Sequence, residues 1–387
     1  MPFACTACGE PNPSLGATCP ACGSFVRYRE SDPDALRTAV SDDVWAALPA
    51  VESRVELGEG ETPLLELDDG ALPSGAYAKL ESLNPSCSFK DRGSSLALSH
   101  VRADDASFES VVVASTGNTA TSVATYAARA SAPCAVLVPE GTSTAKLTQA
   151  AAAGARIFTV EGTFSDCFAL SQRVADDRIL NATAVYSANP FVASANRTVA
   201  FELVRQLGAA PDWVSVPVGA GPLLGGTYAG FEELSKAGIV ESAPRMLCVQ
   251  ARGCHPIVRA FERGESVTAW TEPITTDIDA IADPLRGYAA DGEHTRRAVL
   301  DSGGTAIALP DDDVHRWRAR LTERAGVYAE PASAASVAAL DACPDVASDD
   351  LVVALVTGHG LKEAPNEDPR PTHIDDDADA VREALLQ

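Results

Sequence analysis

The chain has 387 residues, 46% of them hydrophobic, enough apolar material for one large or two medium domains with true cores. Its 54 acidic residues against 30 lysines and arginines leave a net charge of −24, which argues against nucleic acid or anionic membranes as partners. No apolar run approaches the roughly 18 residues of a membrane span, and the opening MPFACTACGE has no signal-peptide pattern, so a soluble cytoplasmic protein is expected. Only five cations are lysines (79, 90, 146, 236 and 362), and acidity combined with scarce lysine reads as adaptation to high salt.

The first segment, residues 1–30, holds Cys5, Cys8, Cys19 and Cys22 in two C-x-x-C pairs, each followed by glycine (Gly9, Gly23). Two tight turns of this kind present four thiolates tetrahedrally, so a zinc ribbon with a closed, structural zinc is expected; a redox pair is the weaker alternative. The other cysteines (87, 134, 167, 248, 254 and 343) are scattered and read as small core residues. A polar linker at about 27–55 follows. Thereafter β-branched runs alternate with alanine-rich helical stretches: SVVVAS before TSVATYAARA, CAVLVPE before TAKLTQAAAAG, WVSVPVGAG before TYAGFEELSKAG, and finally LVVALVTG. This is an α/β pattern with largely parallel sheet. An acidic tail, expected to fray, begins at about Ala364.

Four stretches carry chemistry. NPSCSFKDRG (84–93) holds Lys90 between an aromatic and an aspartate after a polar turn and before a helix, the placement a Schiff-base lysine needs; a surface lysine beside a helix cap fits the local sequence as well. ASTGNTATS (114–122) leaves a strand and enters a helix at Gly117, freeing the amides of Asn118 and Thr119 for an anion, unless these residues serve only as caps. PVGAGPLLGG (217–226) has the geometry of a backbone cradle for a monophosphate, the other reading being close strand–helix packing. It matches neither a nucleoside-triphosphate loop nor a dinucleotide fingerprint. TGHGLKE (357–363) ends a strand at Thr357, whose hydroxyl suits a heteroaromatic nitrogen or simply a turn.

Taken in order, GEGETPL (58–64), KLESLNPSCSFKDRG (79–93), ASTGNTATSVATYAARA (114–130), PVGAGPLLGG, EPASAAS (330–336) and TGHGLKE resemble the fold type II pyridoxal-phosphate enzymes, most closely the threonine synthases. The zinc-ribbon preface is similar to that of archaeal members. The resemblance implies an α/β fold of two parallel-sheet domains after the ribbon: a large cofactor-binding domain (31–100 and 196–387) and a small mobile domain (101–195). It implies pyridoxal 5'-phosphate on Lys90, Asn118 at the cofactor O3′, Gly219, Ala220, Gly221, Gly225 and Gly226 at its phosphate, and Thr357 at its ring nitrogen. Ser115, Thr116, Gly117, Thr119, Ser187 and Arg197 would meet an amino-acid substrate, and a homodimer is implied. The implied reaction is conversion of O-phosphohomoserine and water to threonine and phosphate.

The pattern departs from the family in two places. In YSANPFVASANRT (186–198), Tyr186 and Val192 stand where residues for the substrate's phosphate are expected, leaving Arg197 to compensate. Ser86 and Cys87 replace the usual threonine and glycine before Lys90, with Cys87 expected to fill a small gap. Two alternatives therefore stay open: a paralogue acting by β-elimination or β-replacement, such as a serine or threonine dehydratase or a cysteate-synthase-like enzyme, and a non-catalytic, zinc-tethered regulatory protein.

Overall fold

The computed structural model describes residues 3–11, 17–29, 32–102, 108–362 and 381, so most of the acidic tail lies outside the described residues. The strands are β1 (Phe3–Cys5), β2 (Val26–Tyr28), β3 (Leu64–Glu66), β4 (Gly75–Lys79), β5 (Ser110–Ala114), β6 (Cys134–Pro139), β7 (Arg156–Val160), β8 (Ile179–Asn181), β9 (Trp213–Pro217), β10 (Arg245–Ala251), β11 (Thr305–Leu309) and β12 (Leu351–Leu355). The helices are α1 (Pro33–Ser41), α2 (Lys90–Arg102), α3 (Asn118–Ala130), α4 (Thr144–Ala152), α5 (Phe164–Val174), α6 (Pro190–Asn196), α7 (Thr198–Leu207), α8 (Pro222–Lys236), α9 (Pro256–Arg263), α10 (Ala289–Asp301), α11 (Asp311–Ala325) and α12 (Pro331–Ala342). No helix among the described residues is long and apolar enough to cross a membrane.

Two parallel sheets organise the chain. The larger runs β11-β10-β9-β12-β4-β3, with only β3 antiparallel to its neighbour; the smaller, β7-β6-β5-β8, is parallel throughout. Strand β9 is buried along its whole length and β12 nearly so, which is why WVSVP and LVVAL read as runs and not as alternating patterns. Helix α2 begins at Lys90 itself, and its Leu96, Ala97, Leu98 and Val101 share a core with Val111 and Val113 of β5 and Val123 and Ala124 of α3. Those apolar side chains join α2 to the core of the smaller sheet.

The amino-terminal segment folds as a β1–β2 antiparallel pair. It docks on α6: Phe3 meets Phe191 edge-on at 5.6 Å between ring centroids, and the Tyr28 amide donates to Ser194 Oγ at 3.1 Å.

A buried ion cluster ties β4, α2 and α7 together. Lys79, Glu81 and Glu202 are 0% exposed and Arg92 5%. Arg92 donates from Nε and Nη2 to Glu81, both at 2.7 Å, and from Nη1 and Nη2 to Glu202 at 2.5 and 2.9 Å. Lys79 Nζ donates to Glu202 at 2.7 Å and to the Thr62 carbonyl at 2.7 Å. Glu81 accepts from Thr62 Oγ1 at 2.6 Å and Asn84 Nδ2 at 3.1 Å. The motifs GEGETP, KLESLN and FKDRG are thus held together through one set of charges.

Removing one member of such a cluster strands an uncompensated charge. Burial alone would raise the Glu202 carboxyl, but Arg92 and Lys79 bring it down to about 2, so its contribution is complete above 4.5 and lost as pH falls toward 2. Arg92→Met is expected to lower the unfolding free energy by about 3–5 kcal/mol at neutral pH, with the gap to wild type narrowing as acid protonates Glu202. Urea denaturation over a pH series measures both; equal midpoints at pH 7 would refute a stabilising role.

Candidate active site

Three consecutive residues at the start of α2 point in three directions. Arg92 enters the ion cluster. Asp91, fully buried, accepts from the Ser86 amide at 2.6 Å, from Ser86 Oγ, and from Ser122 Oγ of α3 at 2.6 Å, fixing the preceding turn against α3. Lys90 is left facing a cavity of about 690 Å³, with its Nζ 4.2 Å from the centroid of the Phe89 ring. Burial pushes the Lys90 amine down to about 8, against the opposing pull of Glu330 and Asp283. Cys87 stands outside the cavity lining at φ 63, with its amide donating to the Asn84 carbonyl at 2.7 Å. Its position is a left-handed turn, which is the physical reason glycine suits that place.

The cavity lies beyond the carboxyl ends of the parallel strands, where ligands bind in open α/β sheets. Residues following β5 (Ser115, Thr116, Gly117, Asn118, Thr119), β9 (Gly219, Ala220, Gly221) and β12 (Thr357) all line it. Two helix N-termini open into this space, and neither is capped by a side chain: α3 starts after Gly117 and α8 after Gly221. Uncapped N-termini leave free amides and a positive dipole end, which together bind an anion. At the start of α3 the Gly117 amide donates to Ser115 Oγ at 3.2 Å.

The α8 loop is turned toward the cavity from behind. Thr295 Oγ1 donates to the Ala220 carbonyl at 2.7 Å, and the Tyr186 hydroxyl donates to the Gly221 carbonyl at 3.0 Å. In a trans peptide the N–H opposes the C=O, so tying back the Ala220 carbonyl aims the Gly221 amide forward. Gly221 has φ 97, and a Cβ there would fall 2.2 Å from Thr295 Oγ1. This cradle fits a phosphate monoester. Asn118 Nδ2 donates to Glu330 at 3.0 and 3.1 Å, and Thr357 Oγ1 lies 2.8 Å from Ser333 Oγ. A neutral hydroxyl at that position, a basic amine and a phosphate cradle in one cavity form a donor set that fits pyridoxal phosphate.

Four expected ligands lie elsewhere. Gly225 and Gly226 are in α8 outside the lining, where their missing side chains allow close packing: a Cβ would lie 2.0 Å from the Tyr186 hydroxyl and 2.6 Å from the Ala193 carbonyl, respectively. Arg197 is fully buried and donates to Glu233, to the Ala47 carbonyl and, at 3.1 Å, to the Ser194 carbonyl. It does not reach the cavity, so it cannot replace a missing phosphate ligand. Ser187 is also outside the lining, with its amide donating to Asp291 at 3.1 Å. Val192 packs on Gly93 of α2.

The basic residues of the cavity lining are Lys90, Lys146 and Lys362. Lys146 pairs with Asp279 at 2.7 Å across the cavity from α4, and Lys362 Nζ donates to the Ser86 carbonyl at 2.7 Å. Neither was singled out from sequence, nor was Asp283, which lines the cavity and accepts from the Tyr288 hydroxyl at 2.7 Å. The sequence shows only that lysine is scarce; that three of the five line one cavity is decided by the fold.

The four amino-terminal cysteines converge, with all four Sγ atoms within 4.8 Å of one another. Separations of 3.4 Å (Cys5–Cys22), 3.5 Å (Cys8–Cys22) and 3.7 Å (Cys8–Cys19) are far beyond a disulfide bond and near the roughly 3.8 Å edge of a tetrahedron with 2.3 Å zinc–sulfur bonds. The amides of Ala7 and Cys8 donate to Cys5 Sγ at 3.3 and 3.4 Å, contacts that suit a thiolate ligand.

Comparison with known proteins agrees with this geometry. A family profile described as pyridoxal-phosphate dependent enzyme matches residues 55–358. The chain is 35% identical over 346 residues to a threonine synthase of Methanocaldococcus jannaschii, covering 86% of this chain and 83% of the relative. It is 36% identical to a threonine synthase of Mycobacterium leprae, covering 94% and 96%. Among solved structures, maize serine racemase superposes with a TM-score of 0.67 at 19% identity, covering 92% of this chain and 97% of that one. A threonine deaminase of Solanum lycopersicum gives 0.65 at 21% identity, covering 85% and 90%; at such identities the likeness is one of fold. With two parallel sheets meeting at a lysine-bearing cavity, and with these matches along most of its length, the chain belongs to the pyridoxal-phosphate-dependent enzyme family.

Proposed function

We propose that the chain is a threonine synthase, converting O-phosphohomoserine and water to threonine and phosphate. The observation that carries this reading is the pair of uncapped helix N-termini facing one desolvated lysine, one suited to a cofactor phosphate and one to a substrate carboxylate. The threonine synthase relatives favour that reaction over elimination from serine or threonine.

Bound pyridoxal phosphate supplies an electron sink for negative charge developing on the substrate carbon atoms. The chain's own groups do the rest. The Gly219–Gly221 amides would hold the cofactor phosphate, Asn118, with its amide oriented by Glu330, would meet O3′, and Thr357 would be a neutral partner for the ring nitrogen. Amides and hydroxyls of Ser115, Thr116, Gly117 and Thr119 take the substrate carboxylate. Lys90 Nζ, as a neutral amine, would take and return protons at the substrate's carbon atoms. Lys146 and Lys362 face the substrate's phosphate, the role Arg197 cannot fill. The four thiolates of Cys5, Cys8, Cys19 and Cys22 hold a structural zinc, and the surplus of acidic residues serves solubility at high salt.

Three outcomes test this. Lys90→Ala abolishes the visible absorbance of bound cofactor, and loading of wild-type apoprotein rises with pH around a midpoint of about 8, because only the neutral amine attacks the aldehyde. Purified protein releases phosphate and threonine from O-phosphohomoserine; oxo acid from serine or threonine, with no phosphate release, would instead establish a dehydratase. Lys146→Ala raises KM for O-phosphohomoserine by about 10-fold or more, the worth of a charged hydrogen bond, with a smaller change in kcat. An unchanged KM would remove Lys146 from the phosphate site.

A further inference from the structure

The ribbon reaches the active site through two rings. Phe25 stacks on Tyr186, with centroids 5.5 Å apart and planes at 22°, and both rings meet His294 edge-on, at 5.5 and 4.6 Å. Tyr186 is 4% exposed, and its hydroxyl donates to the carbonyl of Gly221 in the phosphate cradle, beside the Gly225 amide that donates to the same oxygen at 3.1 Å. Only the bare Cα of Gly225 lets that hydroxyl pass. On the ribbon side, the Phe25 backbone is fixed by both cysteine turns. Its carbonyl accepts from the Thr6 amide, between Cys5 and Cys8, at 2.9 Å, and it forms a bridge with Thr18, immediately before Cys19. The position of the Phe25 ring therefore depends on whatever holds the four thiolates together.

We propose that the ribbon is a brace for the cofactor loop: with its thiolates gathered on a metal, Phe25 holds Tyr186 on the Gly221 carbonyl, so metal occupancy sets cofactor affinity. Tyr186 is then a positioning residue, touching neither cofactor nor substrate. Sites coupled in this way are reciprocal, so bound cofactor tightens metal binding by the same factor. The inference rests on the cofactor and zinc reading above.

The experiment titrates cofactor-free protein with pyridoxal phosphate, following visible absorbance, for wild type, Tyr186→Phe, Phe25→Leu and the double variant, each with zinc bound and after chelation. Tyr186→Phe keeps the ring stack and removes only the hydroxyl. It is expected to raise the cofactor dissociation constant about 3- to 10-fold, the worth of one hydrogen bond, while zinc content stays as in wild type. Phe25→Leu and chelation each weaken cofactor binding in wild type but add nothing in the Tyr186→Phe background, because the path is already cut. A Tyr186→Phe dissociation constant within about twofold of wild type, or a chelation effect of equal size in both backgrounds, overturns the brace. Should Phe25→Leu fail to fold, the chelation arms on wild type and Tyr186→Phe decide alone. If wild type binds no pyridoxal phosphate or no zinc, it is the underlying reading that fails, and the two failures are distinct.

Discussion

Arg92 donates five hydrogen bonds inside the protein, two to Glu81, two to Glu202 and one to Thr198, and so spends every donor of its guanidinium on buried partners. Two residues earlier in the same helical turn is Lys90. An α-helix rotates about 100° per residue, so once Arg92 is fixed in the ion cluster and Asp91 against Ser86 and Ser122, the direction left to Lys90 is the cavity. The costly burial of four charged side chains is a geometric device: it holds the first turn of α2 rigid where a reactive amine has to be aimed.

The site must attract anions in a chain whose net charge is −24. It does so at short range. Backbone amides at the starts of α3 and α8 do not titrate and are aimed by the fold, and three of the five lysines are gathered at the same cavity. At molar salt the Debye length is only about 3 Å, so repulsion from the acidic surface is screened while direct contacts inside the cavity persist. Such a surface and such a site are compatible because they act over different distances.

Much of this was legible in sequence because the relevant groups are local. Asn118, Gly221 and Thr357 each follow a strand closely enough for turn chemistry to mark them, Lys90 follows a polar turn at the start of a helix, and the C-x-x-C pairs announce four thiolates. What misled was the assumption that motif membership equals ligation. Gly225 and Gly226 belong to the glycine run, but lie about one helical turn past the cradle, where the Tyr186 hydroxyl requires the first and the packing of α8 on α6 the second. Arg197 looks like a spare cation in sequence, yet Glu233 on α8 claims it, and that pairing is created only when α7 and α8 are brought together.

The sequence by itself determined the local parts: strands and helices from their periodicity, turns from glycine and proline, a lysine set between an aromatic and an aspartate, and four cysteines at metal spacing. Which side chains share a space was decided by the tertiary structure. The pairing of Arg92 with Glu202, the convergence of Lys90 with Lys362, and the stacking of Phe25 on Tyr186 each join residues more than a hundred positions apart. Local propensity carries no information about such contacts, because they arise from the order in which strands assemble into sheets and from the apolar faces that bring helices together.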